Sequence, residues 1–278
     1  MNGHGIQLIN VGKEFKNPDS YKAALTNINL TIHEGEYIGI LGLNQSGKST
    51  LARLLNGLLK PSLGRILVNG MDVDSSEQIR EIRQLLGIVF QNPDNQLICP
   101  VVEEEIAFGP ENLGLSPSEV NKRVSWALEI VGMQDMRYHA PHLLSGGQKQ
   151  KVALASVLAM EPSYLVLDEP TSMLDPVSRW EILEHLRKIN KENHITIILI
   201  SHNPEDLLDA NRLIVLHEGF IYMQGTPREV YADMEKLTAI GLKPPGLYQL
   251  IQQLEEEGYG IDDNTSTIPQ LVEKICQK

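Results

Sequence analysis

Cysteine is scarce. The chain of 278 residues holds two, Cys99 and Cys276, far apart and outside any paired-ligand spacing. That excludes a disulfide framework or a cysteine-built zinc site and predicts a reduced, cytosolic setting. Long apolar runs are also lacking. The longest, Ile38–Leu43 and Ile195–Ile200, are strand-sized, whereas a bilayer crossing needs about 20 residues. Work at a membrane would therefore need membrane segments carried by other chains. Met1–Gly5 lacks the basic-then-apolar pattern of a secretory leader, and none is expected. Basic charge is in deficit: 24 Lys and Arg against 36 Asp and Glu leave a net charge of -12. Such a surface repels phosphate backbones, so nucleic acid is not an expected partner.

What is present suffices for a core. Apolar residues make up 42%, which fits one domain of about 220 residues with a small appendage. Short β-branched runs predict strands at Ile6–Val11, Leu25–Ile32 and Arg65–Val68. Tyr37–Gly42 reads as a buried strand feeding a glycine-bearing loop. A helix from Lys48 to Leu59 follows, with Pro61 helping to stop it. Gly87–Phe90 is another buried strand. Residues 101–160 are mostly helical, with helices near Val101–Phe108, Ser118–Val131 and Gly147–Met160. The strand Tyr164–Leu167, a helix through Trp180–Ile189 and the strand Thr196–Ile200 then set a βαβ rhythm, which predicts a largely parallel sheet covered on both faces. A strand pair at Arg212–Leu216 and Phe220–Gln224 precedes short helices broken by Lys243-Pro244-Pro245-Gly246. Leu242, Leu247, Leu250, Ile251 and Leu254 form one face of that last region, for packing or for a dimer contact.

Two sequence features carry chemistry. Gly42-Leu43-Asn44-Gln45-Ser46-Gly47-Lys48-Ser49 fits G-x-x-x-x-G-K-[ST] between a strand and a helix. Backbone N–H groups of such a loop and of the following helix N-terminus point at triphosphate oxygens. Lys48 is placed to reach the β- and γ-phosphates, Ser49 to ligate Mg²⁺, and Thr50 to bond near the α-phosphate. The strand Tyr164–Leu167 ends in Asp168-Glu169. Asp168 suits a Mg²⁺ ligand acting through water, and Glu169 a group that polarises the attacking water.

Leu144-Ser145-Gly146-Gly147-Gln148 precedes a helix, with Ser145 as N-cap and two glycines that allow close backbone approach. With this pentapeptide in place, the order of motifs resembles an ABC (ATP-binding cassette) nucleotide-binding domain over roughly residues 6–225. The resemblance implies an α/β fold: a P-loop NTPase cassette with an antiparallel β subdomain, a helical subdomain at about 92–160 and a small C-terminal helical region. The cassette would span 1–226 and the C-terminal region 227–278, with a possible role in dimerisation. It implies ATP and Mg²⁺ as ligands, and ATP hydrolysis driven by two cassettes closing on shared nucleotides. Ser145, Gly146, Gly147 and Gln148 would then contact ATP held by a partner subunit. Gln91 resembles the Q-loop glutamine, near Mg²⁺ or water. His202 resembles the switch histidine that binds the γ-phosphate. Ser172-Met173-Leu174-Asp175 resembles the D-loop, whose Asp175 crosses the dimer interface. Phe15 falls where the family often stacks an aromatic on adenine; a core phenylalanine is the competing reading. Gln45 stands where many relatives have glycine, and Lys151 where an arginine is common.

Phe90–Gln96 and Val102–Asn112 are similar to the ATPases of energy-coupling factor transporters, prokaryotic importers of vitamins or transition metal ions. That likeness implies a second ABC ATPase, a transmembrane coupling subunit and a substrate-binding membrane subunit. The Ser172-Met173-Leu174-Asp175 variant, with Met where Gly is commoner, resembles one of the two ATPase types of heterodimeric versions and so implies a heterodimer. The chain would be peripheral, at the cytoplasmic face of the membrane. Asp94, Glu103, Glu104 and Glu105 would offer negative charge to arginines of the membrane partner. The competing assignments are the ATPase of a conventional binding-protein-dependent importer and a soluble, non-transport ABC ATPase.

Overall fold

The computed structural model describes residues 5–16, 21–259, 271 and 272. Two sheets build the body. The first is antiparallel, in the order β2-β1-β4-β5, from β1 (Ile6–Lys16), β2 (Tyr21–Ile32), β4 (Leu63–Val68) and β5 (Met71–Asp72). In the second, β3 (Tyr37–Leu41), β6 (Leu86–Val89), β7 (Tyr164–Asp168), β8 (Thr196–Ser201) and β9 (Arg212–His217) run parallel, and β10 (Phe220–Gly225) closes the edge antiparallel to β9. Its order is β10-β9-β3-β8-β7-β6.

The central strands β3, β7 and β8 are buried at every position, as expected of parallel strands covered on both faces. Alternation divides their side chains between two cores. Ile38, Ile40, Val166, Ile198 and Ile200 pack with the antiparallel sheet and with Leu51, Leu54 and Leu55 of α1 (Lys48–Leu55). Leu41, Leu165, Leu167, Ile197 and Leu199 pack on the other side. That side is covered by α3 (Val102–Asn112), α4 (Pro117–Ile130), α5 (Gly146–Leu158) and α6 (Pro176–Asn193).

The boundaries differ from the sequence reading in instructive places. Helix α1 ends at Leu55, well before Pro61. Asn56 sends its side-chain amide to the Leu86 carbonyl at 2.7 Å, and Gly57 takes φ +66° with its N–H on Leu54. A left-handed glycine, not the proline, ends this helix. Helix α3 runs past Gly109-Pro110 to Asn112, because a proline this close to the C-terminus breaks only one bond of a ladder already fixed by burial of Val102, Ile106 and Ala107. Helix α2 (Ile79–Leu85) and the two-residue β5 were not foreseen. Ile79, Ile82 and Leu85 carry a helical spacing for α2, but the stretch is short.

The described part of the C-terminal segment contains α7 (Pro227–Ala232), α8 (Met234–Ala239) and α9 (Gly246–Glu256). It lies against the body: Tyr231, Leu237, Leu242 and Tyr248 belong to the main core, and the Tyr231 hydroxyl donates to the Pro204 carbonyl at 2.8 Å. Leu247, Ile251 and Leu254 form the expected face with Leu271. Leu250 does not join them and is exposed, and Leu242 lies in the loop before α9.

Candidate active site

The C-terminal ends of β3, β8, β7 and β6, neighbours in the sheet, bring the predicted residues to one rim, where open α/β sheets bind ligands. After β3 the loop turns sharply. A Cβ on Gly42 would sit 2.5 Å from the Leu216 carbonyl and from the Ser46 hydroxyl, so the position admits only glycine. Gly47 holds φ +105° at the N-cap of α1, and no side chain caps that helix. Its first-turn N–H groups lack intrahelical partners and supply partial positive charge.

Lys48 is 4% exposed and folded back over the loop. Its Nζ donates to the carbonyls of Gly42 at 2.8 Å and Leu43 at 2.9 Å and lies 3.3 Å from Glu169 Oε1. Burial pulls its pKa below the usual lysine value, and the Glu169 charge offsets part of that. The Ser49 hydroxyl donates to Asp168 Oδ1 at 3.0 Å. Burial pushes the Asp168 carboxyl above the usual range, against the lowering effect of that hydroxyl. Glu169, at φ +51°, is the hub. His202 Nδ1 lies 2.9 Å from its Oε2, and since a carboxylate only accepts, the ring nitrogen donates. Gln91 Nε2 donates to the same oxygen at 3.3 Å and to the Ser172 hydroxyl at 3.2 Å.

Gly47, Lys48, Ser49, Gln91 and Glu169 line a pocket of about 330 Å³ together with Phe15, Asn44, Gln45, Thr50 and, from β2, Lys22, Ala23 and Ala24, while Asp168 and His202 join it through Ser49 and Glu169. Phe15 is 40% exposed at this rim, with Lys13 Nζ 5.3 Å from its ring, so it is not a core residue. The β2 residues were missed, since only the strand register places them beside the loop. Ser46 Oγ is buried without a partner among the described residues. An orphaned hydroxyl beside the open N-terminus of α1 fits an anionic ligand.

A family model for ABC transporters matches residues 25–172. The energy-coupling factor transporter ATP-binding protein EcfA1 of Caldanaerobacter subterraneus subsp. tengcongensis is 49% identical over 253 residues, 91% of each chain. The EcfA1 protein of Clostridium novyi is 45% identical over all of this chain and 99% of its own. Among solved structures, cbiO1 from Clostridium perfringens, described as part of the ABC transporter complex cbiONQ, superposes with a TM-score of 0.75 at 40% identity, covering 89% of this chain and 98% of that one. The cassette MJ0796, as a post-hydrolysis dimer bound to ADP and Pi, gives a TM-score of 0.74 at 30% identity, covering 80% of this chain and 98% of that one. This chain belongs to the energy-coupling factor family of ABC transporter ATPases. It binds and hydrolyses ATP.

Within the ABC cassette, the other predicted site residues form a second group. Ser145 caps α5 in a capping box with Gln148, whose N–H donates to Ser145 Oγ and whose Oε1 accepts from the Ser145 N–H. Asp175 caps α6, accepting from the N–H groups of Val177 and Ser178 and, at 2.6 Å, from the Ser178 hydroxyl. That hydroxyl is the largest cause holding its carboxyl below the usual range. A Cβ on Gly147 would meet Ser178 Oγ at 2.6 Å, so the signature turn lies directly on the first turn of α6. Gly146 has open space where a Cβ would stand.

The structure also shows how three features singled out in the sequence are engaged. Of the four acids expected to face a membrane partner, Asp94 is bonded to Lys149 at 2.7 Å, Glu103 is paired with Arg137, and buried Glu105 accepts the N–H groups of Ile98 and Cys99 at 2.8 Å each. Only Glu104 is left exposed with no such bond. Lys151 makes a single contact at 2.5 Å, to Glu181 Oε2, in place of an arginine fork. Gln45 takes φ +69°, a conformation that costs a side-chain-bearing residue about 1–2 kcal/mol. Gln45→Gly is accordingly expected to raise stability by up to about 1 kcal/mol, since glycine returns part of the gain as unfolded-state entropy. Denaturant titration with and without ATP checks this; a less stable variant would mean that the Gln45 side chain holds the loop.

Proposed function

We propose that this chain is one of two ATPases of an energy-coupling factor importer, docked at the cytoplasmic face of the membrane and driving uptake of a vitamin or transition metal ion through separate membrane subunits. The observation that carries the hydrolytic part of this reading is the convergence of Lys48, His202 and Gln91 on the single carboxylate of Glu169; the transport part is supported by the likeness to the EcfA1 proteins and to cbiO1. Each of these groups has a partner now that a γ-phosphate and its attacking water would take over. Lys48 leaves the Gly42 and Leu43 carbonyls and Glu169 for phosphate oxygens. Glu169, freed of the lysine, orients the water and takes its proton. His202 holds the γ-phosphate side, Gln91 spans Glu169 and Ser172, and Phe15 offers a ring face to the adenine.

Ser49 and Asp168 pair a hydroxyl with a carboxylate, a hard-oxygen set that suits Mg²⁺, with Gln91 nearby. Bound there, Mg²⁺ would neutralise charge building on the phosphate oxygens. Ser145–Gln148 and Asp175, gathered at the α5–α6 contact, would complete the site of a second cassette, so that two copies of the constellation close on two nucleotides. Residues 1–226 act as the motor, and the described helices of the 227–278 region brace it, with room for a dimer contact at exposed Leu250.

The test is recovery of the tagged full-length chain from its own membranes in mild detergent. A second cassette with small multi-spanning subunits is the expected result. A conventional permease pair, or no membrane partner under several detergents, would sink the reading. Glu104, exposed on α3 with exposed Phe108 one helical turn further on, is the docking charge. Glu104→Lys is expected to release the membrane subunits from the tagged chain, whereas Asp94→Lys first has to break an internal pair.

A further inference from the structure

One buried carboxylate lies behind the site and touches none of the groups assigned so far. Asp206 sits in the 3-10 turn Pro204–Leu207 that follows β8, with its side chain 1% exposed. Its Oδ2 accepts the Thr171 hydroxyl at 2.7 Å and the Ser201 hydroxyl at 2.8 Å. Its Oδ1 accepts Arg179 Nε at 2.6 Å. Thr171 and Ser201 are buried as well. The position of each partner in the chain matters. Thr171 follows Glu169 by two residues, Ser201 directly precedes His202, and Arg179 lies in the first turn of α6, whose N-cap is Asp175.

We propose that Asp206 is a positioning residue for ATP hydrolysis, its one carboxylate fastening together the segments that carry Glu169, His202 and Asp175. This rests on the assignment of Glu169 and His202 to the γ-phosphate. Three features make the carboxylate more than a packing device. Glu169 is held at φ +51°, a strained conformation that persists only where the surroundings over-determine it. The Thr171 bond on one side and the Glu169 N–H to Ile200 carbonyl bond at 3.0 Å on the other provide that constraint. His202 is gripped from both flanks, because the Ser201 hydroxyl that donates to Asp206 also accepts the Asn203 N–H at 2.9 Å. The third bond reaches α6, against whose first turn Gly147 is packed. A shift of α6 is therefore passed to Glu169 and His202 through charge-assisted bonds, with no group of the phosphate loop involved. Such bonds are short and about twice as strong as neutral ones, and a buried network of this kind moves as a unit.

Misplacing reacting groups by about 1 Å costs about 10²-fold in rate, so a loosened clamp shows in turnover before it shows in binding. Asp206→Asn in the full-length chain, assayed with its partner subunits, is expected to lower kcat by about 10–100-fold. KM for ATP should stay within about twofold, since the phosphate loop keeps its contacts. Arg179→Lys should retain part of the activity that Arg179→Gln loses. If Asp206→Asn does not fold, Thr171→Val and Ser201→Ala, each removing one hydroxyl, take its place with the same expectation. The proposal is overturned if kcat stays at the parent value while Glu169→Gln is inactive. It is equally overturned if activity falls only in proportion to the unfolded fraction seen in thermal melts. If Glu169→Gln itself hydrolyses ATP like the parent, the assignment of the site fails, and this inference fails with it.

Discussion

Glu169→Gln is expected to cut ATP turnover by about 10²–10⁴-fold, the usual contribution of a positioned acid–base group, while ATP binding survives or tightens. The first half follows from removing the carboxylate that takes the proton of the attacking water. The second follows from what Glu169 does without nucleotide. Its Oε1 lies 3.3 Å from Lys48 Nζ, in a place where both side chains are nearly closed off from water. ATP must draw the lysine away from that pairing, so part of the phosphate attraction is spent on separating an existing ion pair. Glutamine has the shape of the carboxylate without its charge. The Lys48 ammonium group keeps the Gly42 and Leu43 carbonyls in the variant, so it is not orphaned, and the phosphates capture it with less opposition. Binding of ATP at equilibrium and single-turnover hydrolysis, both on the full-length chain, separate the two halves. Parental hydrolysis sinks the assignment of Glu169. A clear loss of affinity with hydrolysis abolished would sink the competition between carboxylate and phosphate for Lys48.

The parts of this site that could be read in the sequence are those built from contiguous residues. The strand–loop–helix around Gly42–Ser49 announces itself because a phosphate-binding loop needs glycines and a lysine at fixed offsets, and the buried strand before Asp168-Glu169 announces itself by its unbroken apolar run. His202 and Gln91 were within reach because each follows a strand, and parallel strands deliver their C-terminal ends to one rim. The rest depends on register and on partners distant in sequence. Lys22–Ala24 reach the pocket through the pairing of β2 with β1, which no local pattern reveals. Thr171, Arg179, Ser201 and Asp206 read as ordinary polar residues until the sheet places β7 beside β8. The pairing of the acids around Gln91 was hidden for the same reason: charge is visible in a sequence, but the Lys149 and Arg137 that pair with Asp94 and Glu103 lie 55 and 34 residues away. Helix α1 stopping at Gly57, ahead of Pro61, shows a nearer limit: two plausible terminators stood in a row, and the Asn56 bond to Leu86 favours the first.

Lys48→Ala should have the opposite effect on binding to Glu169→Gln, although both abolish turnover. A hydrogen bond to a charged group is worth about 1.5–3 kcal/mol. Losing two such bonds to phosphate oxygens lowers ATP affinity by about 10²–10⁴-fold. The nucleotide-free chain also suffers, since the Gly42 and Leu43 carbonyls lose their donor and Glu169 loses a cation, keeping only His202 and Gln91. That costs about 1–3 kcal/mol, visible in a melt without ligand. The two variants are best told apart by the stabilisation that ATP confers, which for a single site is about 2.7 kcal/mol at 100 times Kd. At that same ATP concentration the shift in Lys48→Ala should fall to about 0.4 kcal/mol or less, and in Glu169→Gln it should match or exceed the parent's. A Lys48→Ala chain still stabilised by ATP as the parent is would mean that the backbone N–H groups of the loop hold the triphosphate without the lysine, and that Lys48 acts in the hydrolytic step alone.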